Sequence, residues 1–164
     1  MPTIDEVYLG NPLLKKANVQ QEFTQEQILE FMACKADPVY FAKQHVKIVS
    51  LDEGLVPFQP YDFQERLINN FHENRFNICK MPRQTGKSTT SVSYLLHYAV
   101  FNDNVNIGIL ANKAATARDL LGRLQTAYEN LPKWMQQGII SWNKGSLELE
   151  NGSKILAAST SASA

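Results

Sequence analysis

The sequence predicts an α/β fold carried on a mainly parallel sheet, with a small helical segment in front of it. Three features carry that reading. Short apolar runs alternate with helical stripes through the middle of the chain, and a Gly-Lys-Ser turn separates the first such run from the helix after it. Short strands divided by Asn-Lys-Gly and Asn-Gly turns then close the sequence.

Residues up to about Gln21 mix Pro, Gly, Asn and Lys without a period and read as an irregular arm, 1–22, ahead of one domain over 23–164. Thr24 followed by Gln27 is a capping-box pattern, and Ile28, Phe31 and Met32 extend a helical stripe to about Lys35. Asp37 caps a second helix with Pro38 in its first position, running to about Gln44 and packing through Tyr40 and Phe41. The period then shortens. Residues 46–49 and 55–58, divided by Asp52-Glu53-Gly54, predict a hairpin, and Phe63, Leu67, Ile68 and Phe71 predict a helix over 61–71.

Phe76-Asn77-Ile78-Cys79 reads as a buried strand and residues 91–100 as a helix, with Asn102-Asp103-Asn104 as the turn into a second buried strand over 105–110. Leu120, Leu121, Leu124 and Tyr128 give one face of a helix from Ala114 to about Asn130. Beyond Pro132, strands at 139–142 and 146–150 flank Asn143-Lys144-Gly145, and Asn151-Gly152 turns the chain into 153–157.

Between the first apolar run and its helix lies Arg83-Gln84-Thr85-Gly86-Lys87-Ser88-Thr89-Thr90. This is the second half of a phosphate-binding P-loop pattern in its strand, loop, helix context. There, backbone N–H groups and the positive helix terminus face a polyphosphate, Lys87 reaches the β- and γ-phosphates, and the Ser88 hydroxyl takes one position on Mg²⁺. Arg83 to Thr89 is thus the expected site for ATP and Mg. The pattern is a variant, since Met81 stands where the first glycine belongs. An ordinary helix start capped by Ser88 or Thr85 fits the same residues.

With 164 residues, 44% hydrophobic and 20% charged, the chain has enough apolar material for one domain with a core. Sixteen basic and sixteen acidic residues cancel, which excludes the concentrated positive field of an autonomous nucleic-acid-binding domain. Any contact with DNA is then local or transient. The start, Met1-Pro2-Thr3-Ile4-Asp5-Glu6, has no basic and apolar leader pattern, and no run reaches membrane-spanning length, so an intracellular protein is expected. Cys34 and Cys79 read as reduced, small buried apolar residues. His45, His72 and His97 show no ligand spacing with each other or with cysteine, so a structural metal is not indicated.

Hydrolysis at such a loop needs an apolar strand ending in a carboxylate. Asp103 reads as a turn residue, and Glu148 and Glu150 alternate with Leu147 and Leu149 onto the solvent face of a hairpin. The last residues, Ser159 to Ala164, close no element. The sequence therefore reads as the first part of an ATPase domain, ending before its carboxylate (Walker B) strand and inactive by itself.

These residues together resemble the large terminase subunit of T-even-like tailed bacteriophages, the motor ATPase that packages viral DNA, from about Asn11 onward. The resemblance is carried by Arg83-Gln84-Thr85-Gly86-Lys87-Ser88, where the family also lacks the first loop glycine, by Gly108-Ile109-Leu110-Ala111-Asn112-Lys113, and by the continuous stretch from Gly138 to Ser153. It implies a RecA/helicase-like P-loop NTPase in which Gln59 and Gln64 belong to the adenine-recognising segment, a glutamine amide being able to pair with N6 and N7. It implies catalytic roles for Lys87 and for Arg83, the latter as a finger supplied in cis. It implies as partners double-stranded DNA, met transiently, the portal protein and the small terminase subunit. The setting it implies is a homo-oligomeric ring docked on the procapsid in the host cytoplasm, with no membrane, and a C-terminal nuclease domain outside this stretch.

Two alternatives stay open on the residues alone. A small-molecule P-loop kinase would use the same Lys87 and Ser88, although its arginine-rich lid has only Arg118 and Arg123 to draw on after Arg83. A non-catalytic interaction module would present the N-terminal helices as a docking surface.

Overall fold

The computed structural model describes residues 6–50 and 52–160. The leader reading of residues 1–5 and the Ala/Ser ending at 161–164 lie outside them.

The first departure from expectation comes at the N-terminus. Instead of an irregular arm, β1 (Val7–Tyr8) and β2 (Asn11–Lys15) form an antiparallel hairpin. Leu9 and Gly10 turn it with φ of 47° and 77°, both in the left-handed region that matches hairpin twist. Leu14 is fully buried, and the Gln136 amide ties the hairpin down: its Oε1 accepts from the Lys15 N–H at 3.0 Å and its Nε2 donates to the Leu13 carbonyl at 3.1 Å. Strands this short, one of them holding a proline, leave no period to read.

The helices ahead of the loop form as their caps dictate. In α1 (Gln25–Ala36) Thr24 and Gln27 make the reciprocal capping box, and in α2 (Pro38–His45) the Asp37 carboxylate accepts from the Val39 and Tyr40 amides at 2.8 and 3.0 Å. The hairpin of β3 (Lys47–Ser50) and β4 (Gly54–Pro57) follows, in register Ile48↔Val56, and then α3 (Asp62–Glu73). All were expected.

Residues 76–79 are not a strand. Phe76 is 83% exposed and Ile78 is fully exposed, and Cys79, expected buried, is exposed too. A strand is stable only when its N–H and C=O groups find a lateral partner. Among the described residues no strand pairs with this segment.

The chain then enters α4 (Lys87–Phe101), turns at Asn102 to Asn104, and continues through β5 (Asn106–Ala111), α5 (Ala114–Glu129), β6 (Ile139–Trp142), β7 (Ser146–Leu149) and β8 (Lys154–Ser159). The four-stranded sheet runs β5-β8-β7-β6. Only β5 and β8 are parallel, in register Ile107↔Ile155, while β6–β7 and β7–β8 are antiparallel. The sheet is therefore mixed, correcting the mainly parallel expectation. The tight Asn151-Gly152 turn, with Gly152 at φ 80°, folds β8 directly back along β7, and a connection that short forces antiparallel pairing. Strand β5 also differs from expectation, since only Ile109 in it is buried and it pairs with β8 alone among the described residues.

The core lies where α4 meets α2, α3 and α5, with Phe41, Leu96, Ala99, Leu121, Leu124 and Tyr128 all nearly inaccessible. No helix among the described residues is long and apolar enough to cross a membrane.

Candidate functional site

The residues singled out in sequence meet where the end of one loop enters α4. Gly86 sits at φ 73° immediately before Lys87, and Gln84 also takes a positive φ, 63°. Such values cost a residue with a side chain but not glycine, so Gly86 supplies the sharp entry to the helix at no steric cost. The Pro82 carbonyl gathers the loop: the Thr85 hydroxyl and the Lys87 ammonium both donate to it at 3.1 Å. Lys87 thus folds back across the loop mouth.

No side chain caps α4, so neither Ser88 nor Thr85 plays the ordinary capping role. The first internal bond of the helix runs from the Thr90 N–H to the Gly86 carbonyl at 2.9 Å, and the Thr90 hydroxyl donates to the same carbonyl at 3.0 Å. The amides of Lys87, Ser88 and Thr89 therefore leave the helix end without an intrahelical acceptor. Added to the helix dipole and the Lys87 charge, they make the end of α4 attractive to an anion.

Lys87, Ser88 and Thr89 are half-buried, whereas Arg83 and Gln84 are exposed. Arg83 has no hydrogen bond or ion pair among the described residues, which leaves its guanidinium free to turn toward the loop mouth. Gln84 and Thr89 also line a cleft of about 790 Å³ between β3, α4 and α5, with Ile48, Val92, Gly122 and Arg123 among its other walls.

Gln59 and Gln64 part company. Gln59 is exposed, while Gln64 is 4% exposed at the start of α3. Its Oε1 accepts from the Tyr61 N–H at 2.9 Å and its Nε2 donates to the Thr85 carbonyl at 3.2 Å. That second bond links α3 to the loop across 21 positions. Beside it, Tyr61 and Phe63 stack at 5.9 Å with rings nearly parallel, both partly exposed. The Phe-Gln-Pro-Tyr-Asp-Phe-Gln run announces aromatic and amide groups at this point, but nothing in it signals the contact with Thr85.

The acidic candidates stand elsewhere. Asp103 is in the turn after α4, and Glu148 pairs with Lys154 at 2.9 Å. Glu150, expected on the solvent face, instead clamps two backbones: its carboxylate accepts from the Gly138 N–H at 2.7 Å and the Asn18 N–H at 2.9 Å.

A second polar cluster was invisible in the sequence. Glu30, Cys34 and His45 present ligand-type atoms within 4.8 Å of one another, a grouping that α1 and α2 create by packing. The Glu30 carboxylate accepts from Tyr40 at 3.0 Å and from Cys34 at 3.6 Å, and His45 Nε2 lies 2.7 Å away. The His45 bond leads in holding the Glu30 carboxyl below its ordinary range, and burial with the Glu30 charge pushes the Cys34 thiol up to about 12. This network joins two helices and lies apart from the loop.

Residues 78–164, more than half of the chain, match the family described as terminase large subunit, T4likevirus-type, N-terminal. The match opens just ahead of the loop and takes in α4, β5, α5 and the β6–β8 strands, while Gln59 and Gln64 precede it. Members of that family are generally ATPases with a role in phage DNA packaging, and this chain belongs to the large terminase subunits.

Proposed function

We propose that this chain is the ATP-binding part of a viral DNA-packaging motor of the P-loop, RecA/helicase-like class. One observation carries the reading: the uncapped start of α4, entered through a left-handed Gly86 and crossed by the Lys87 ammonium. The donor set fits a polyphosphate, because three free amides and one ammonium converge on a half-buried surface where a compact anion is favoured. In this reading Lys87 leaves the Pro82 carbonyl for the β- and γ-phosphates, and the Ser88 hydroxyl takes one Mg²⁺ position. Gln84, Thr85, Gly86 and Thr89 shape the cradle. Bound Mg²⁺ supplies neutralisation of phosphate charge. Arg83, exposed and without a partner among the described residues, turns its planar guanidinium onto the γ-phosphoryl oxygens as charge develops there.

Gln59 is open to the adenine edge, whereas Gln64, from the same segment, is buried with its amide bonded to Tyr61 and Thr85. In the assembled motor, ATP hydrolysis drives double-stranded DNA into the procapsid, with portal protein, small terminase subunit and further copies of this chain in a ring as partners. Family membership favours this reading over the kinase and docking-module alternatives.

Titration with a fluorescent ATP analogue tests it. Lys87→Ala is expected to weaken Mg·ATP binding by about a hundredfold, the scale of a lost charge-assisted phosphate contact. In the assembled motor, Arg83→Ala is expected to keep affinity within a few-fold while turnover falls about a thousandfold. Equal affinity of wild type and Lys87→Ala would remove the nucleotide site.

A further inference from the structure

We infer that Gln64 is a positioning residue that holds the loop in its binding shape, so that it governs affinity for the polyphosphate irrespective of the base. This rests on the nucleotide reading of the loop and deepens it.

Three observations converge. Gln64 is nearly inaccessible, at 4% exposed, although it belongs to a segment whose neighbours Tyr61 and Phe63 are open to solvent. Its amide is committed at both ends: Oε1 closes the first turn of α3 on the Tyr61 N–H, and Nε2 donates to the Thr85 carbonyl. The peptide held by that carbonyl is the one that leads into Gly86, and a Cβ placed on Gly86 would meet Gln64 Nε2 at 2.4 Å. Glycine at 86 is therefore favoured by its φ of 73°, and a Cβ there would make the glutamine amide shift.

The consequence is a chain of dependence. The cap fixes the Gln64 rotamer, Gln64 fixes the orientation of the peptide between Thr85 and Gly86, and that peptide aims the amides of Lys87 and Ser88. Removing a buried donor also strands the Thr85 carbonyl, which then seeks a partner by rotating its peptide plane. A loop whose competent shape is only a fraction of the population binds every anion more weakly by that same fraction. A residue that read adenine would penalise ATP alone.

The variant that separates the roles is Gln64→Glu. It retains an oxygen for the Tyr61 N–H, and so the start of α3, but it cannot donate to the Thr85 carbonyl. Binding of Mg·ATP, Mg·GTP and Mg·tripolyphosphate is measured by calorimetry for wild type, Gln64→Glu and Gln64→Ala, with hydrogen exchange of residues 83–90 followed in the absence of any ligand. The expected result is a loss of about tenfold or more, equal within error for all three ligands, as one lost buried hydrogen bond predicts. Exchange at Thr90, whose N–H is bonded to the Gly86 carbonyl, should quicken by a similar factor, while α3 stays protected in Gln64→Glu. A loss confined to ATP, or unchanged loop exchange in both variants, overturns the inference. If wild type binds none of the three ligands, the nucleotide reading falls, and the exchange measurement still decides whether Gln64 holds the loop.

Discussion

The two ends of α4 are built by opposite means. At its C-terminal half Leu96, His97, Ala99, Val100 and Phe101 are buried, and Phe101 meets Phe31 edge-on at 4.8 Å, with Phe41 at 5.3 Å and His97 at 4.9 Å. At its N-terminus Lys87, Ser88 and Thr89 are half-open, and what shapes the entry is a pair of positive φ angles, the Pro82 carbonyl and one buried amide. One end is fixed by volume, the other by a few directional bonds. Packed volume resists change everywhere at once, whereas a directional arrangement fails or holds bond by bond. A rigid body carrying an adjustable terminus suits the ligand-binding role proposed for that end of the helix.

The largest effect should come from attacking the packed end. Phe41 is fully buried and touches Phe101, His97 and His45, so Phe41→Ala is expected to cost about 3–5 kcal/mol of stability by cavity formation. If the two ends are independent, Mg·ATP affinity of the molecules still folded should stay within about twofold. Urea unfolding gives the first quantity and titration below the unfolding range the second. A parallel loss of affinity would show that the terminus is held by the packing and not by its own bonds.

What could be read from the sequence divides along the same line. The caps Thr24, Asp37 and the Asn151-Gly152 turn were legible because each acts on residues within a few positions of itself. So were α3, α4 and α5, whose apolar stripes repeat over several turns. The strand at 76–79 was misread because four apolar-rich residues say nothing about whether a lateral partner exists. The direction of β8 depends on two pairings at once, with β5 and β7, and neither is local. At the site, Gly86, Lys87 and Ser88 were placed together by adjacency alone. The Gln64 to Thr85 bond was beyond reach, since its partners are far apart in sequence and one of them is a backbone carbonyl.

Acid should act next most strongly, again on the packed end. Burial pushes His97 down to about 4 from an ordinary 6.5, outweighing its bond to the Cys34 carbonyl. His72 from α3 works in the same direction, Asp37 opposes it, and Tyr94 stacks beside the ring. Nε2 is the donor in the bond to Cys34, since a carbonyl only accepts, and Nδ1 is buried with no partner among the described residues. A histidine kept neutral by the fold makes the unfolded chain the better proton acceptor. Its contribution is therefore complete above 6.5, shrinks as pH falls from 6.5 to about 4, and changes no further below that. The loss over that interval is up to roughly 3 kcal/mol at about 1.4 kcal/mol per pH unit. Glu30 adds a decline with the same sign at more acid pH, since its lowered carboxyl favours folding only while ionised. Chemical unfolding at successive pH values should show the slope, and His97→Gln, which cannot titrate, should flatten the upper part. A slope that survives the substitution assigns the acid sensitivity to other groups.

The smallest effect, and the one that sharpens the contrast most, lies at the open end. Gly86→Ala forces a side chain into a left-handed backbone, which costs about 1–2 kcal/mol. It also drives the new Cβ to 2.4 Å from Gln64 Nε2, so the glutamine must give up its bond to Thr85 or the loop must move. The two costs separate in a Gln64→Ala background. There the backbone strain remains, but the collision and the bond it would break are already gone. The double variant should then be more stable than the sum of the single losses allows, by about 1 kcal/mol, within the usual range for residues in contact. Urea midpoints of the four proteins measure this directly. Additivity to within about 0.3 kcal/mol would mean that glutamine and glycine do not press on each other, and that the terminus of α4 is set by backbone preference alone. A positive coupling would instead make the pair a single device, in which the glycine is kept small by the amide as much as by its own φ.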